Sequence, residues 1–341
     1  MATTMKKARL STFFQPPGTQ IPDEPKKLMK ILIVCSFNGG KISPFVYEQA
    51  EAIKKHNISV EFYGIKGKGF AGYLKNYFPL LKEIKNYRPD LIHAHYGLSG
   101  LLANLQRKVP VITTFHGSDL NNAQVLKYSN LSKRMSHASI FVSQSMEIKG
   151  IKKNKYYIIP CGVDLTQFNS LPKIEARQML GYQQNEIIIL FSSSFDRKVK
   201  NYPLAEKACS HLEKIILKKV KLLELKNYSR KEVNLLINSA DCALLTSISE
   251  GSPQFIKEAM ACNCPVVATD VGDVSWLFGG EAGHFIAKFD YQDVAEKINA
   301  ALQFSEKYGK TKGRERIQSL GLDSKVVADR IVKIYKETIN K

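Results

Sequence analysis

Short apolar, β-branched runs recur along this chain, and most are separated by stretches long enough for a helix. In the first half the runs are KILIVCS (30–36), SVEFYGI (59–65), DLIHAH (90–95), VPVITTF (109–115), ASIFVSQ (138–144) and YYIIPCG (156–162). Their apolar positions are nearly continuous and do not alternate with polar ones, so they predict strands buried on both faces. After the first run, SPFVYEQAEAIKKH (43–56) predicts a helix with Ser43 as N-cap and Pro44 at the first helical position, where the missing N–H is not needed. Strands alternating with helices in this way predict a parallel sheet covered on both sides.

The pattern pauses at DLTQFNSLPKIEARQML (164–180), a polar, helix-rich bridge, and then restarts. EIIILFSSS (186–194), a weaker KLLELK (221–226), DCALLTS (241–247), PVVATDVG (265–272) and GHFIA (283–287) follow, and a last helix is expected over 323–339. The fold class expected is α/β, with two doubly wound Rossmann-like domains facing a cleft. The divisions expected are a flexible basic leader at 1–28, an N-terminal domain at 29–165, a C-terminal domain at 166–320, and a helix at 321–341 that crosses back to the N-terminal domain. Open α/β sheets bind ligands outside the carboxyl ends of their strands, which places any site in the cleft.

Composition changes this picture in two ways. The 341 residues fit two domains, and a hydrophobic content of 44% is ordinary for a globular chain. No apolar stretch approaches the roughly 18 residues that cross a bilayer, and the first residues lack the apolar core of a secretory signal. The six cysteines (35, 161, 209, 242, 262, 264) are scattered, which fits buried reduced thiols and a cytoplasmic chain. Charge is the second change. Fifty basic residues against 31 acidic ones leave +19, a balance that suits nucleic acid, an anionic membrane surface or a phosphate-bearing substrate. Lysine used as surface filler gives the same total. No nucleic-acid motif accompanies the charge, so no nucleic acid is expected as partner.

Candidate chemistry concentrates in SEGSPQFIKEAMACNCPVVATDVG (249–272), where Glu250 and Glu258 stand eight apart. Ser252 and Pro253 read as the N-cap and first position of a helix that closes at Asn263, a residue that tolerates the left-handed conformation. The start of such a helix offers unpaired N–H groups and a positive dipole end to an anion, near Gln254 and Phe255. A carboxylate accepts hydrogen bonds from paired hydroxyls, so Glu258 suits a ribose diol and Glu250 a sugar. Spacing alone is also compatible with ordinary capping chemistry.

The stretch closely resembles the donor-binding segment of the family 4 retaining glycosyltransferases, which have the GT-B fold. Four further stretches fall in that family's order: HAHYGLSG (93–100), TFHGSDLN (114–121), IIPCGVDLTQF (159–168) and VKNYPLA (199–205). The resemblance covers residues 29–290. It implies transfer of a hexosyl-type sugar from a nucleotide-diphospho-sugar to a saccharide or lipid-linked acceptor, with retention and without a metal or other cofactor. Cell-surface polysaccharide or glycolipid synthesis is the implied setting, in the cytoplasm or peripherally at the inner membrane face. Residue by residue, it assigns Glu258 to the donor ribose, Glu250 to the transferred sugar, and the backbone of Gly251, Ser252, Pro253, Gln254 and Phe255 to the diphosphate. Lys200 matches the residue that neutralises the leaving diphosphate. Gly39 and Gly40 match a loop that approaches the ligands, and His116 matches a histidine near the reacting sugar.

Two departures stand out. Where many members carry a second phosphate-clamping Arg, this chain has Ser194, and Arg197 nearby is the candidate substitute. The region 205–240 also lacks a Gly-x-Gly loop. These departures motivate a second class of function, a catalytically degenerate GT-B protein that binds polyanions or membranes.

Other residues keep two readings. His93 and His95 share one strand face and with His116 could hold a metal, or they pack and hydrogen bond at the strand end. Cys262 and Cys264 form a C-x-C without a partner pair. Asp119 reads as the cap of the helix after HGS. IKGKGFAGYLKNYFPLLKEIKNYRPD (65–90) mixes Lys with aromatics, as an interfacial helix on anionic lipid does and as a core-facing amphipathic helix also does. KARLSTFF (7–14) reads as part of the basic leader.

Overall fold

The structure, a computed structural model, describes residues 28–146 and 155–340. The first sheet holds β1 (Met29–Ser36), β2 (Ile58–Ile65), β3 (Leu91–His95), β4 (Val111–Phe115), β5 (Ala138–Phe141) and β6 (Lys155–Ile158). Its spatial order is β2-β1-β3-β4-β5-β6, and every neighbouring pair is parallel. Its helices are α1 (Pro44–Lys54), α2 (Gly69–Leu74), α3 (Tyr77–Tyr87), α4 (Gly97–Asn104), α5 (Ser118–Asn121) and α6 (Ala123–Met135). The second sheet holds β7 (Ile187–Phe191), β8 (Val220–Leu223), β9 (Cys242–Leu245), β10 (Val266–Thr269) and β11 (His284–Ala287), in the order β11-β10-β9-β7-β8 and again parallel. With it come α7 (Lys173–Leu180), α8 (Tyr202–Ile216), α9 (Arg230–Ser239), α10 (Gln254–Ala261), α11 (Val274–Phe278), α12 (Tyr291–Tyr308) and α13 (Gly313–Ser319), and α14 (Ser324–Ile339) follows them in the chain. Two doubly wound domains are therefore present, and each predicted run contributes a strand. The basic leader, including 7–14, lies outside the described residues.

The continuous apolar runs have the packing that their pattern demands. Ile31 and Ile33 of β1 face a cluster with Val46, Ala50 and Ile53 of α1 and Val327, Ile331 and Tyr335 of α14. Leu32 and Val34 face the opposite cluster with Leu80 of α3 and Leu102 of α4. A parallel central strand is thus fully buried on both sides, each large side chain contributing about 1.5–3 kcal/mol.

The chain passes between the domains twice. Val163 pairs with Asp323 in an isolated parallel bridge, and a Cβ on Gly162 would lie 2.7 Å from Ser324 Cα, so the two crossings touch backbone to backbone. Beyond the second crossing α14 packs on α1 of the first domain. Stretch 65–90 folds as α2 and α3. Leu80 and Tyr87 of α3 enter the core, whereas α2 buries no side chain.

Candidate functional site in the interdomain cleft

In each sheet the strand order reverses direction once, between β1 and β3 and between β7 and β9. Loops diverge at such switch points and leave a crevice at the carboxyl ends of the strands. The two crevices face each other across a cavity of about 720 Å³. Tyr96 after β3, His116 after β4 and Phe45 at the start of α1 line it from one side. Ser193 after β7, Lys200, Glu250 and the start of α10 line it from the other.

Lys200 ends a short 3-10 turn, Lys198–Lys200, that follows β7. Thr246, just past β9, donates its hydroxyl to the carbonyls of Lys200 (2.9 Å) and Asn201 (3.1 Å), which fixes this turn over the sheet end. The Lys200 ammonium lies 2.5 Å from Glu250 Oε1, with both side chains largely covered. Arg197 also lines the cavity and reaches Ser193 Oγ at 3.5 Å. Ser194, where a second clamping Arg would stand, instead donates to Asp196 beside it.

Helix α10 begins at Gln254, with Pro253 at the N-cap position and no side-chain cap. This corrects two expectations. Ser252 does not cap the helix, because its hydroxyl donates to Asp273 Oδ2 (2.6 Å) and accepts from Lys257 Nζ (3.1 Å). Pro253 therefore stands one position earlier than predicted. The C-terminus follows expectation: Asn263 is left-handed (φ 57°), and the amides of Asn263 and Cys264 return to Met260 and Ala259. Lys257 is fully buried and donates to the Cys161 carbonyl at 2.7 Å, while Gln254 donates to the Gly162 carbonyl at 2.7 Å. Both bonds pin the start of α10 to the interdomain crossing. Burial raises the Asp273 carboxyl, and the Lys257 charge opposes that rise.

Glu258 opens onto the same cavity and pairs through Oε1 with Arg230 Nη2 at 2.6 Å. Arg230 is the first residue of α9, whose start is fixed by a capping box between Ser229 and Glu232. Its Nε also donates to Glu48 Oε1 on α1 at 2.6 Å, and its guanidinium lies over Phe168.

On the opposite wall, His116 Nε2 lies 3.0 Å from His95 Nδ1, and its Nδ1 lies 3.9 Å from Cys161 Sγ. Both ring nitrogens are engaged with neighbouring side chains, which leaves the carbon edge for the cavity. Burial, helped by His93 and Lys257, pushes His116 down to about 3, so the ring is neutral. Asp119 is not the N-cap of α5. It lies inside that helix and accepts from the amides of His116 (3.0 Å) and Gly97 (2.9 Å), so it holds the histidine loop and the start of α4. His93 bonds Tyr335 Oη (2.6 Å) and Thr114 Oγ1 (2.7 Å), the packing reading of that residue.

The domains meet through glycines. A Cβ on Gly251 would lie 2.4 Å from the His116 carbonyl oxygen, and one on Gly117 would lie 2.7 Å from Gly251 Cα. The HGS and EGS stretches therefore touch main chain to main chain at the cleft floor. Of the residues expected here, Lys200, Arg197, Glu250, His116, Glu258 and the segment Gly251–Phe255 come together around one cavity. Gly39 and Gly40 do not line it; both are exposed, with open space where a Cβ would be. Arg230, Glu48, Lys257 and Asp273 were not singled out from sequence. The Ser-x-x-Glu capping box at 229–232, following a strand, is the one signal that marked Arg230 as lying at a sheet's carboxyl end.

Residues 33–167 match the family described as Glycosyltransferase Family 4, and residues 188–303 match Glycosyl transferases group 1. A Bacillus subtilis glycosyltransferase named for teichuronic acid biosynthesis is 27% identical over 64% of this chain, and the match spans 63% of that relative's length. The N,N'-diacetylbacillosaminyl-diphospho-undecaprenol alpha-1,3-N-acetylgalactosaminyltransferase of Campylobacter jejuni is 26% identical over 78% of this chain and 82% of its own. Among solved structures, sucrose-phosphate synthase from Thermosynechococcus elongatus aligns with a TM-score of 0.73 at 17% identity, covering 91% of this chain and 98% of that one. Anabaena HepE in complex with UDP and glucose aligns at 0.68 and 20% identity, covering 90% and 99%. At these identities the structural likeness concerns the fold.

Proposed function

Since the chain belongs to the family 4 glycosyltransferases and has the GT-B fold, we propose that it moves a hexosyl-type sugar, with retention, from a nucleotide-diphospho-sugar to a saccharide or lipid-linked acceptor in cell-surface polysaccharide or glycolipid synthesis. The observation that carries this reading is the Lys200–Glu250 pair beside the start of α10, at the switch point of the second sheet and facing the first across the cavity. A leaving diphosphate needs its developing charge stabilised. Lys200, Arg197 and the amides of Gly251, Ser252, Gln254 and Phe255 are the groups this reading assigns to that task. As the anion draws the ammonium, Glu250 is released to accept from sugar hydroxyls on the same face. Glu258 accepts from the ribose diol, and the neutral His116 shapes the sugar pocket. In a front-face substitution the acceptor hydroxyl enters on the side the diphosphate leaves and passes its proton to the departing phosphate oxygen as the new glycosidic bond forms, so no residue of this site is assigned as general base. Convergence of these groups on one cavity favours an enzyme over a degenerate binding protein. A panel of nucleotide sugars, read by released nucleoside diphosphate, tests the proposal. Turnover of one donor is expected, and no turnover with any donor, alone or with saccharide acceptors, would overturn it.

The acceptor side points to a membrane. On α2 and the first turn of α3, Phe70, Leu74 and Phe78 are exposed, Phe78 to 78%, and Phe70 stacks on Tyr128 of α6 at 4.8 Å. Lys66, Lys68, Lys75 and Lys127 are exposed around them. Aromatic side chains ringed by ammonium groups suit an anionic lipid surface, which would present a lipid-linked acceptor to the first domain. Among the described residues no helix is long and apolar enough to cross a membrane.

A further inference from the structure

Arg230 makes a contact that neither the diphosphate chemistry nor the fold requires. Its guanidinium sits between two carboxylates from different domains, each 2.6 Å away: Glu48 on α1 and Glu258 on α10. A second bond to Glu48, Nη2 to Oε2 at 3.3 Å, makes that contact two-pronged. The ring of Phe168 backs the guanidinium at 4.6 Å. The three charged side chains are 17%, 24% and 5% exposed for Glu48, Arg230 and Glu258, so water screens them little. Burial raises the Glu48 carboxyl, Arg230 opposes the rise, and the Glu258 charge adds to it. The two carboxylates thus repel each other across the cleft and are reconciled by one cation.

We propose that Arg230 is a positioning residue that aims Glu258 at the donor ribose and, through Glu48, ties that carboxylate to closure of the cleft. The inference rests on the donor reading above for the identity of the ribose. Arg230 occupies Oε1 of Glu258, so Oε2 is the oxygen left for a hydroxyl. Because the guanidinium is itself oriented, by two bonds to Glu48 and by the Phe168 ring behind it, its single bond reaches Glu258 Oε1 from a set direction, which a rotating ammonium at the same place does not achieve. With Arg230 gone, Glu48 and Glu258 face each other unpaired, and separation of the domains is the direct way to relieve that.

The test combines calorimetric titration with UDP, GDP and their 2′-deoxy analogues and small-angle scattering of the ligand-free protein. In the parent, the ribonucleotide that binds is expected to be preferred over its 2′-deoxy form by about tenfold, the weight of one hydrogen bond to a charged acceptor. In Arg230→Met the preference is expected to fall below about twofold, and the radius of gyration is expected to rise. Arg230→Lys is expected to recover part of both. Adding Glu48→Gln to Arg230→Met removes the repulsion, so compactness is expected to return while the 2′-hydroxyl preference does not. A merely structural ion pair would lower the melting temperature and leave the 2′-hydroxyl preference at the parent value. That outcome, or an unchanged radius in folded Arg230→Met, overturns the proposal. If the parent binds neither UDP nor GDP, the donor reading loses its support, and the scattering series alone judges the Glu48–Arg230–Glu258 clasp.

Discussion

Lys200 and Glu250 hold each other at 2.5 Å, and a diphosphate with its larger negative charge competes directly for that ammonium. On the proposed reading, removing the ammonium takes away stabilisation that grows as the leaving group departs. Lys200→Ala is therefore expected to lower kcat by about 10²–10³ at saturating donor, the size of losing one strong transition-state donor. On the same proposed reading Glu258 meets a part of the donor that does not react, so Glu258→Ala is expected to raise the donor KM with kcat nearly kept. Steady-state release of nucleoside diphosphate measures both, and equal effects on kcat would mean the two roles are misassigned. Gly251 makes a different kind of prediction. A methyl group there meets the His116 carbonyl at 2.4 Å, main chain that cannot yield cheaply. Gly251→Ala is expected to cost about 1–3 kcal/mol of stability and to lower activity with it, read by thermal unfolding and by turnover. Glu250, Glu258 and the start of α10 were legible because they share one short stretch, and Lys200, Arg197 and His116 were legible only through the resemblance of their motifs to the family. Arg230, Glu48 and Lys257 were not, since each acquires its role from a partner 28 to 182 positions away.

At the scale of elements, the stretch 65–90 follows its core-facing reading in α3 and leaves the lipid-facing one as a proposal for α2. Helix α3 turns Leu80 and Tyr87 into the core, while α2 leaves Phe70 and Leu74 to solvent. Replacing Phe70 and Phe78 together by Ser is expected to abolish co-sedimentation with vesicles rich in anionic lipid. Binding of the parent is expected to weaken with added salt, since screening acts on the exposed lysines. Equal sedimentation of parent and variant would remove this face from consideration. The strands were legible because each parallel strand is buried on both sides and writes a continuous apolar run. The weak signal of β8 has the same origin, for it is an edge strand whose residues are only partly buried. Helix starts were less legible. Ser252 and Asp119 carry capping chemistry, but Asp273 and Lys257, the latter from within α10 itself, claim the first, and the amide of Gly97 claims the second.

The whole molecule closes through a buried row of rings. His93 and His95 stack at 4.5 Å, His95 and His116 at 5.2 Å, and Tyr335 from α14 ends the row on His93. The last helix is thereby joined to the floor of the cleft. Burial pushes His93 and His116 down to about 3 and His284 to about 4, and it holds His95 well below its ordinary value of 6.5. In the unfolded chain these rings take up protons near 6.5, before the folded form can. The stability they contribute is thus complete above that value and is lost as pH falls toward the folded values, at about 1.4 kcal/mol per unit for each ring. Asp119 acts in the opposite sense. Burial raises it to about 6 from 3.8, so the folded form is relatively favoured as pH falls through that interval. Glu48 and Asp273, also raised by burial, act with Asp119. Four rings outweigh these three carboxyls, so the melting temperature is expected to be level above pH ~7 and to drop from pH ~6 to pH ~5. His93→Gln removes one ring from this balance. The variant is expected to be less stable at pH ~8, where it loses the Tyr335 and Thr114 contacts, yet to show a shallower acid slope. A parent whose melting temperature is the same at both ends of that range would mean the histidines do not stay neutral in the folded protein.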